Sequence, residues 1–175
     1  MTPRYDPLTR TISRMAEPGL PAAFVVELAI GLVGVALLAL SIHLESGSGL
    51  RPGRALLAVA GVGLLVAALI PLDPASPSAT IAHRVATTIA MLALAGAPFA
   101  FAGYGRVSVA VGLAELGMLL VGLALLPTTF AAWGAWERCF LALPTAWMVW
   151  VAWTRSASMD ETMKAAAASH SSSGS

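Results

Sequence analysis

The chain has 175 residues, of which 58% are hydrophobic and only 11% charged, against roughly 25% charged in an ordinary soluble domain. Its net charge of +1 gives no bulk attraction to nucleic acid, so no nucleic-acid partner is expected. A single cysteine, Cys139, excludes an internal disulfide and a paired-cysteine metal motif, and the residual charges fall in short breaks between apolar runs, the pattern of a membrane-spanning chain with the lipid bilayer as its solvent.

Residues 1–21 are polar and interrupted by Pro3, Pro7 and Pro18, so they lack the apolar stretch of a cleavable signal. Five stretches then approach the ~20 residues that cross a bilayer at about 1.5 Å each. They lie at about 22–44, 54–72, 79–102, 107–127 and 134–154. The first stops at the loop Glu45-Ser-Gly-Ser-Gly, the second at Pro71 to Pro74, the third at Gly103-Tyr-Gly105 and the fourth at Pro127. Short connections make successive helices antiparallel neighbours. The expected fold class is all-α: a polytopic transmembrane bundle of five spans in one domain, 22–154. Residues 155–175, rich in Ala and Ser and including His170, are expected to be disordered, or weakly helical near Met159 to Ala168.

An odd number of spans puts the termini on opposite faces. Arg51, Arg54, Arg106, Arg155 and Lys164 fall on the face opposite the N-terminus; Arg4, Arg10 and Arg14, with Arg84 and Arg138 just inside helices, fall on the N-terminal face. Counted over the loops alone, the excess sets the N-terminus outside the cell membrane and the C-terminus in the cytoplasm. Trp147, Trp150 and Trp153 suit an interfacial belt on one face and Trp133 and Trp136 on the other.

Three short pieces are distinctive: Tyr5-Asp-Pro-Leu-Thr-Arg-Thr-Ile-Ser13 before the first apolar helix; Ile70-Pro-Leu-Asp-Pro74, with His83 ten residues after Asp73; and Trp136-Glu-Arg138 opening the last span. In this order they resemble the bacterial multi-pass membrane family catalogued as domain of unknown function 998, over about residues 5–154. The resemblance implies a helical membrane fold and no particular activity. It also implies that residues 5–13 and 71–74 lie on the extracytoplasmic face. Family members usually have six helices, with the Tyr-Asp-Pro-Leu piece after the first, and here no helix precedes it. A homo-oligomer or a helper helix is the partner that this difference suggests.

The polar residues concentrate on the N-terminal face. Asp6, Arg10, Ser13 and Arg14 precede the first span, Glu27 lies one or two turns into it, and Asp73 lies in a loop. His83 and Arg84 sit about a turn into the third span, and Glu137 and Arg138 open the fifth. All fall within roughly 10 Å of one surface. A charge inside a bilayer costs about 2.5–3.5 kcal/mol on insertion scales, so such groups face the bundle interior or water. Two readings stand side by side. Asp6, Glu27, Asp73 and Glu137 balance Arg10, Arg14, Arg84 and Arg138, as a structural ion-pair network would. The same groups would also line a pocket for a small molecule or lipid headgroup. A hydrolase on Asp73, His83 and Glu137 has only Ser13 as a candidate nucleophile, with no glycine-flanked nucleophile turn. No metal site and no cofactor are predicted, because no second histidine accompanies His83 on this face.

Glu115 stands apart, roughly 12 Å into the fourth span. A lone carboxyl there carries its proton or has a partner, which makes Glu115 a candidate proton site and a proton-coupled transporter an alternative function. Glu27–Leu38 and Glu115–Leu126 agree at eight of twelve positions, as an inverted internal repeat would, although Leu, Ala, Val and Gly dominate every span and make such matches easy.

Overall fold

The computed structural model describes residues 6–44 and 51–172, with side chains as far as Thr154. The expected turn at Glu45 to Gly49 and the side chains of Arg155, Lys164 and His170 lie outside the described residues. The fold is helical throughout, with no strand among the described residues. Five α-helices follow in order: α1 (Ala23–His43), α2 (Arg51–Leu69), α3 (Pro77–Ala100), α4 (Arg106–Leu125) and α5 (Trp133–Ser172). Among the described residues four helices, α1 to α4, are long and apolar enough to cross a membrane.

The ends of the helices follow from local chemistry. α2 stops at Leu69 rather than 72, because the residue before Pro71 is pushed out of helical geometry. α3 starts at Pro77, with the Ser76 hydroxyl accepting from the Ala79 N–H at 3.4 Å. Proline tolerates the first helical turn because its missing N–H would have no partner there. Gly105, at φ +107°, makes the left-handed turn that a side chain resists, and α4 begins at the next residue.

The C-terminal expectation needs correction. α5 does not end near 154 but continues as helix to Ser172, 40 residues in all. The segment beyond Thr154 holds neither glycine nor proline before Gly174, and its Ala, Met, Glu and Lys content favours helix. The chain divides into two compact units, Met1–Pro144 and Thr145–Ser175, within this helix. In the second unit the Thr154 hydroxyl donates back to Trp150 O and Val151 O, both at 3.0 Å.

In the first unit the helices approach through small residues. Gly34 of α1 faces Gly61 of α2, and Gly63 of α2 faces Ala86 and Ala90 of α3. Backbones come close where side chains are smallest, which is how helices gain packing energy when the solvent is as apolar as they are. At the far end Phe101, fully buried, fills the space over Gly53. Arg54 Nε donates to Ser41 O at 2.7 Å and so ties the start of α2 to the end of α1. The large apolar side chains point outward instead: Phe24, Leu28, Leu32 and Ile42 of α1 and Leu113, Leu120 and Leu123 of α4 are all more than half exposed. In water such a surface would aggregate; in lipid it is the outside of the protein. With apolar helices of spanning length, the chain is an integral membrane protein.

Candidate functional site

The N-terminal segment is folded onto the head of α5. Asp6 organises the segment locally: its carboxylate accepts from Leu8 N–H at 3.0 Å and from the Thr9 hydroxyl at 2.9 Å. A short 3₁₀ turn, Ser13–Ala16, follows. Arg138 then gathers carbonyl oxygens with one guanidinium nitrogen, which donates to Pro7 O at 2.7 Å, Arg10 O at 3.1 Å and Gly134 O at 2.7 Å. Its other terminal nitrogen reaches Met15 Sδ at 3.8 Å. Glu137 accepts from Ile12 N–H, and Ala135 N–H donates to Leu8 O at 3.0 Å. Gly134 leaves the space: a Cβ added there would collide with Arg10 O and Pro7 O. Two of the three distinctive sequence pieces meet: the described part of the first, Asp6–Ser13, is bonded to Glu137 and Arg138 of the last.

The third piece, Ile70–Pro74, meets His83. Asp73 accepts from Ala75 N–H at 2.8 Å through its carboxylate, and its backbone carbonyl accepts from Ser76 N–H and the Thr80 hydroxyl, at 3.0 and 2.7 Å. His83 is 1% exposed, and its Nδ1 lies 2.9 Å from Ile70 O and 3.1 Å from Ala67 O. Two carbonyls facing one ring nitrogen require that Nδ1 carry the hydrogen and donate. The residues four positions beyond these carbonyls are Pro71 and Pro74, which have no N–H to give. The imidazole replaces donors that the prolines removed. His83→Ala is expected to leave two buried carbonyls short of a donor, at about 1–3 kcal/mol, read as a melting temperature in detergent several degrees below the parent's.

The balanced charges thus act mainly on backbone. Arg10 contributes its carbonyl to the Arg138 contact. Arg14 and Arg84 are exposed, and Glu27 is half-buried in α1. The nine candidate pocket residues do not converge on one point. Asp6, Arg10, Glu137 and Arg138 build the N-terminal contact, whereas Asp73 and His83 build the α2–α3 connection.

One partly open cavity does join part of the set. Ser13 and Glu137 line a cavity of about 80 Å³ together with Ile12, Ile30, Leu64, Thr87, Leu94 and Leu141. Only Ile12 N–H is bonded to Glu137, at one oxygen, leaving the other without a hydrogen-bond partner among the described residues. Thr87 was not anticipated from sequence, and its hydroxyl bonds within its own helix, to His83 O and Arg84 O at 3.0 Å each. A second, wider groove of about 620 Å³ runs along α2 and α3 between Val59, Val62, Val66, Val85 and Ile89 and is apolar throughout. No group of three or more His, Cys, Asp and Glu able to hold a metal occurs among the described residues. Glu115 lies apart from both cavities, fully buried in α4.

Against known proteins, no curated protein and no solved structure matches the chain. A family model does match, over residues 1–154, and so takes in the N-terminal segment, α1 to α4 and α5 as far as Thr154. All three motif pieces and every contact described around Arg138 and His83 fall inside that range. The chain belongs to the family described as Protein of unknown function (DUF998).

Proposed function

We propose that this protein is a binding protein of the bacterial cell membrane, whose cavity beneath the N-terminal segment takes the polar end of a small molecule or lipid headgroup. In this reading α5 supplies a fifth span, the N-terminus is outside and the C-terminus cytoplasmic. The observation that carries it is the mixed wall of the cavity. Ser13, Thr87 and Glu137 line it together with the apolar side chains of Ile30, Leu64, Leu94 and Leu141. A carboxylate oxygen without a protein donor favours a ligand that brings one, such as a primary ammonium or a hydroxyl. The apolar wall suits the carbon chain behind that group. A space of about 80 Å³ holds only the head of such a molecule, since whole-ligand pockets are several hundred Å³.

The test compares two lipids that differ in donors. Phosphatidylethanolamine has a primary ammonium; phosphatidylcholine has a quaternary one with no N–H. Native mass spectrometry of the parent protein from mixed nanodiscs is expected to show phosphatidylethanolamine retained in preference, with the preference lost in Glu137→Gln. Free ethanolamine is the second arm. If it raises the melting temperature while neither lipid is preferred, the ligand is a soluble amine. Equal retention of both lipids with no effect of ethanolamine would contradict the proposal.

A further inference from the structure

Glu115 sits in the middle of α4, about 14 Å along the axis from Arg106 and about 15 Å from Leu125. It is 0% exposed, and neither carboxyl oxygen has a hydrogen-bond partner among the described residues. The buried face of α4 is narrow, formed by Ser108, Gly112, Glu115 and Gly122 at helical spacing, while Leu113, Leu116, Leu120 and Leu123 point outward. Glu115 is thus the one large side chain on a seam of small ones. A structural role would need a partner for it, a backbone carbonyl or a cation, and the described residues provide none.

The charged groups of the neighbouring elements lie at other depths. Gly112 packs on Phe99, near the end of α3 remote from His83 and Arg84. Gly122 packs on Trp136, so Glu137 and Arg138 in the first turns of α5 fall about two turns along the axis from Glu115. Tyr104, in the 3₁₀ turn before α4, and Arg106, at its start, are more than two turns away in the other direction. An isolated carboxyl in the membrane interior without a cation beside it suits proton chemistry, one of the uses such residues have in membrane proteins. We propose that Glu115 is a proton-binding site within the membrane, exchanging its proton with water, and that the proton is its ligand. This site is independent of the cavity at Glu137.

The test uses the full-length protein in liposomes and the apolar reagent N,N′-dicyclohexylcarbodiimide, with a water-soluble carbodiimide beside it. The acid O–H adds across one C=N bond, the oxygen bonding to the central carbon and the proton passing to nitrogen. The expected result is a single adduct with the apolar reagent, mapped by peptide mass to α4, absent in Glu115→Gln and kept in Glu137→Gln. The carboxylic C=O infrared band lost in Glu115→Gln is expected to shift in D₂O, because the proton exchanges. If Glu115→Gln does not fold, the adduct position in the parent decides alone. An unlabelled α4 peptide, labelling only by the water-soluble reagent, or a band that D₂O does not move would overturn the proposal.

Discussion

Replacing Gly34 with leucine is expected to prevent stable folding, while Gly117→Leu, in a different span, leaves the protein near the parent's stability. A Cβ built at Gly34 lies 2.9 Å from Gly61 O and 3.2 Å from Leu65 N. The reciprocal Cβ at Gly61 lies 2.8 Å from Gly34 O and 3.2 Å from Leu38 N. These neighbours are backbone atoms and cannot rotate aside, so α1 and α2 must separate along the whole seam. Overpacking of this kind costs about 1–3 kcal/mol even where a core can adjust, and a rigid backbone contact adjusts least. No compensating hydrophobic gain follows, because a leucine released from the seam only exchanges protein for lipid. At Gly117 a Cβ meets nothing within 4 Å. Both variants replace glycine with leucine in a helix, so helix propensity cancels and the difference in the yield of folded protein in detergent reports the seam alone.

The second large effect is expected at Arg138. Arg138→Met retains much of the stem and removes the donors to Pro7 O, Arg10 O and Gly134 O. Hydrogen bonds to charged groups contribute about 1.5–3 kcal/mol each, but three on one nitrogen are not additive. A loss of about 3 kcal/mol is the scale expected, concentrated in the N-terminal segment rather than spread over the bundle. Amide hydrogen exchange should show this directly: protection at Leu8, Arg10 and Ile12 falls, while protection in α2 and α3 stays. Arg138→Lys should recover only part of it, because an ammonium offers a point of charge where the guanidinium offers a planar fork. Uniform exchange behaviour in parent and variant would show that the segment is held some other way.

Much of the fold was legible from the chain itself. Apolar runs and proline or glycine breaks located all five helices, since span length and backbone chemistry are local properties. The end of α2 was less clear, because Ile70 and Leu72 read as apolar whether or not Pro71 permits helix. The helix beyond Thr154 is only partly legible, because serine-rich composition argues for disorder while Met159 to Ala168 can form helix and no breaker intervenes. The candidate site was legible in depth but not in direction. Sequence placed Ser13, His83 and Glu137 near the same surface. Which of them share a cavity depends on helix rotation and crossing, which spacing does not carry. Ser13 and Glu137 share one; His83 turns to the carbonyls of Ala67 and Ile70. The charge balance suggests side chains pairing with side chains, whereas Arg138 and His83 also bond to backbone oxygens, which every residue has and no composition reveals. Pro71 and Pro74 leave carbonyls without donors, and a nearby histidine is a natural replacement.

The polar residues of the N-terminal face form two separate fixtures, one around Arg138 and one around His83. The measurement that tests this most directly is a double-mutant cycle of unfolding free energy in mixed micelles, for Arg138→Met, His83→Ala and the pair. Groups with no shared partner should add to within about 0.5 kcal/mol. Additive losses, each confined by hydrogen exchange to its own segment, are the result expected. A coupling of about 1 kcal/mol or more would contradict it and would mean that the two histidine-bound carbonyls and the arginine-bound segment belong to one network.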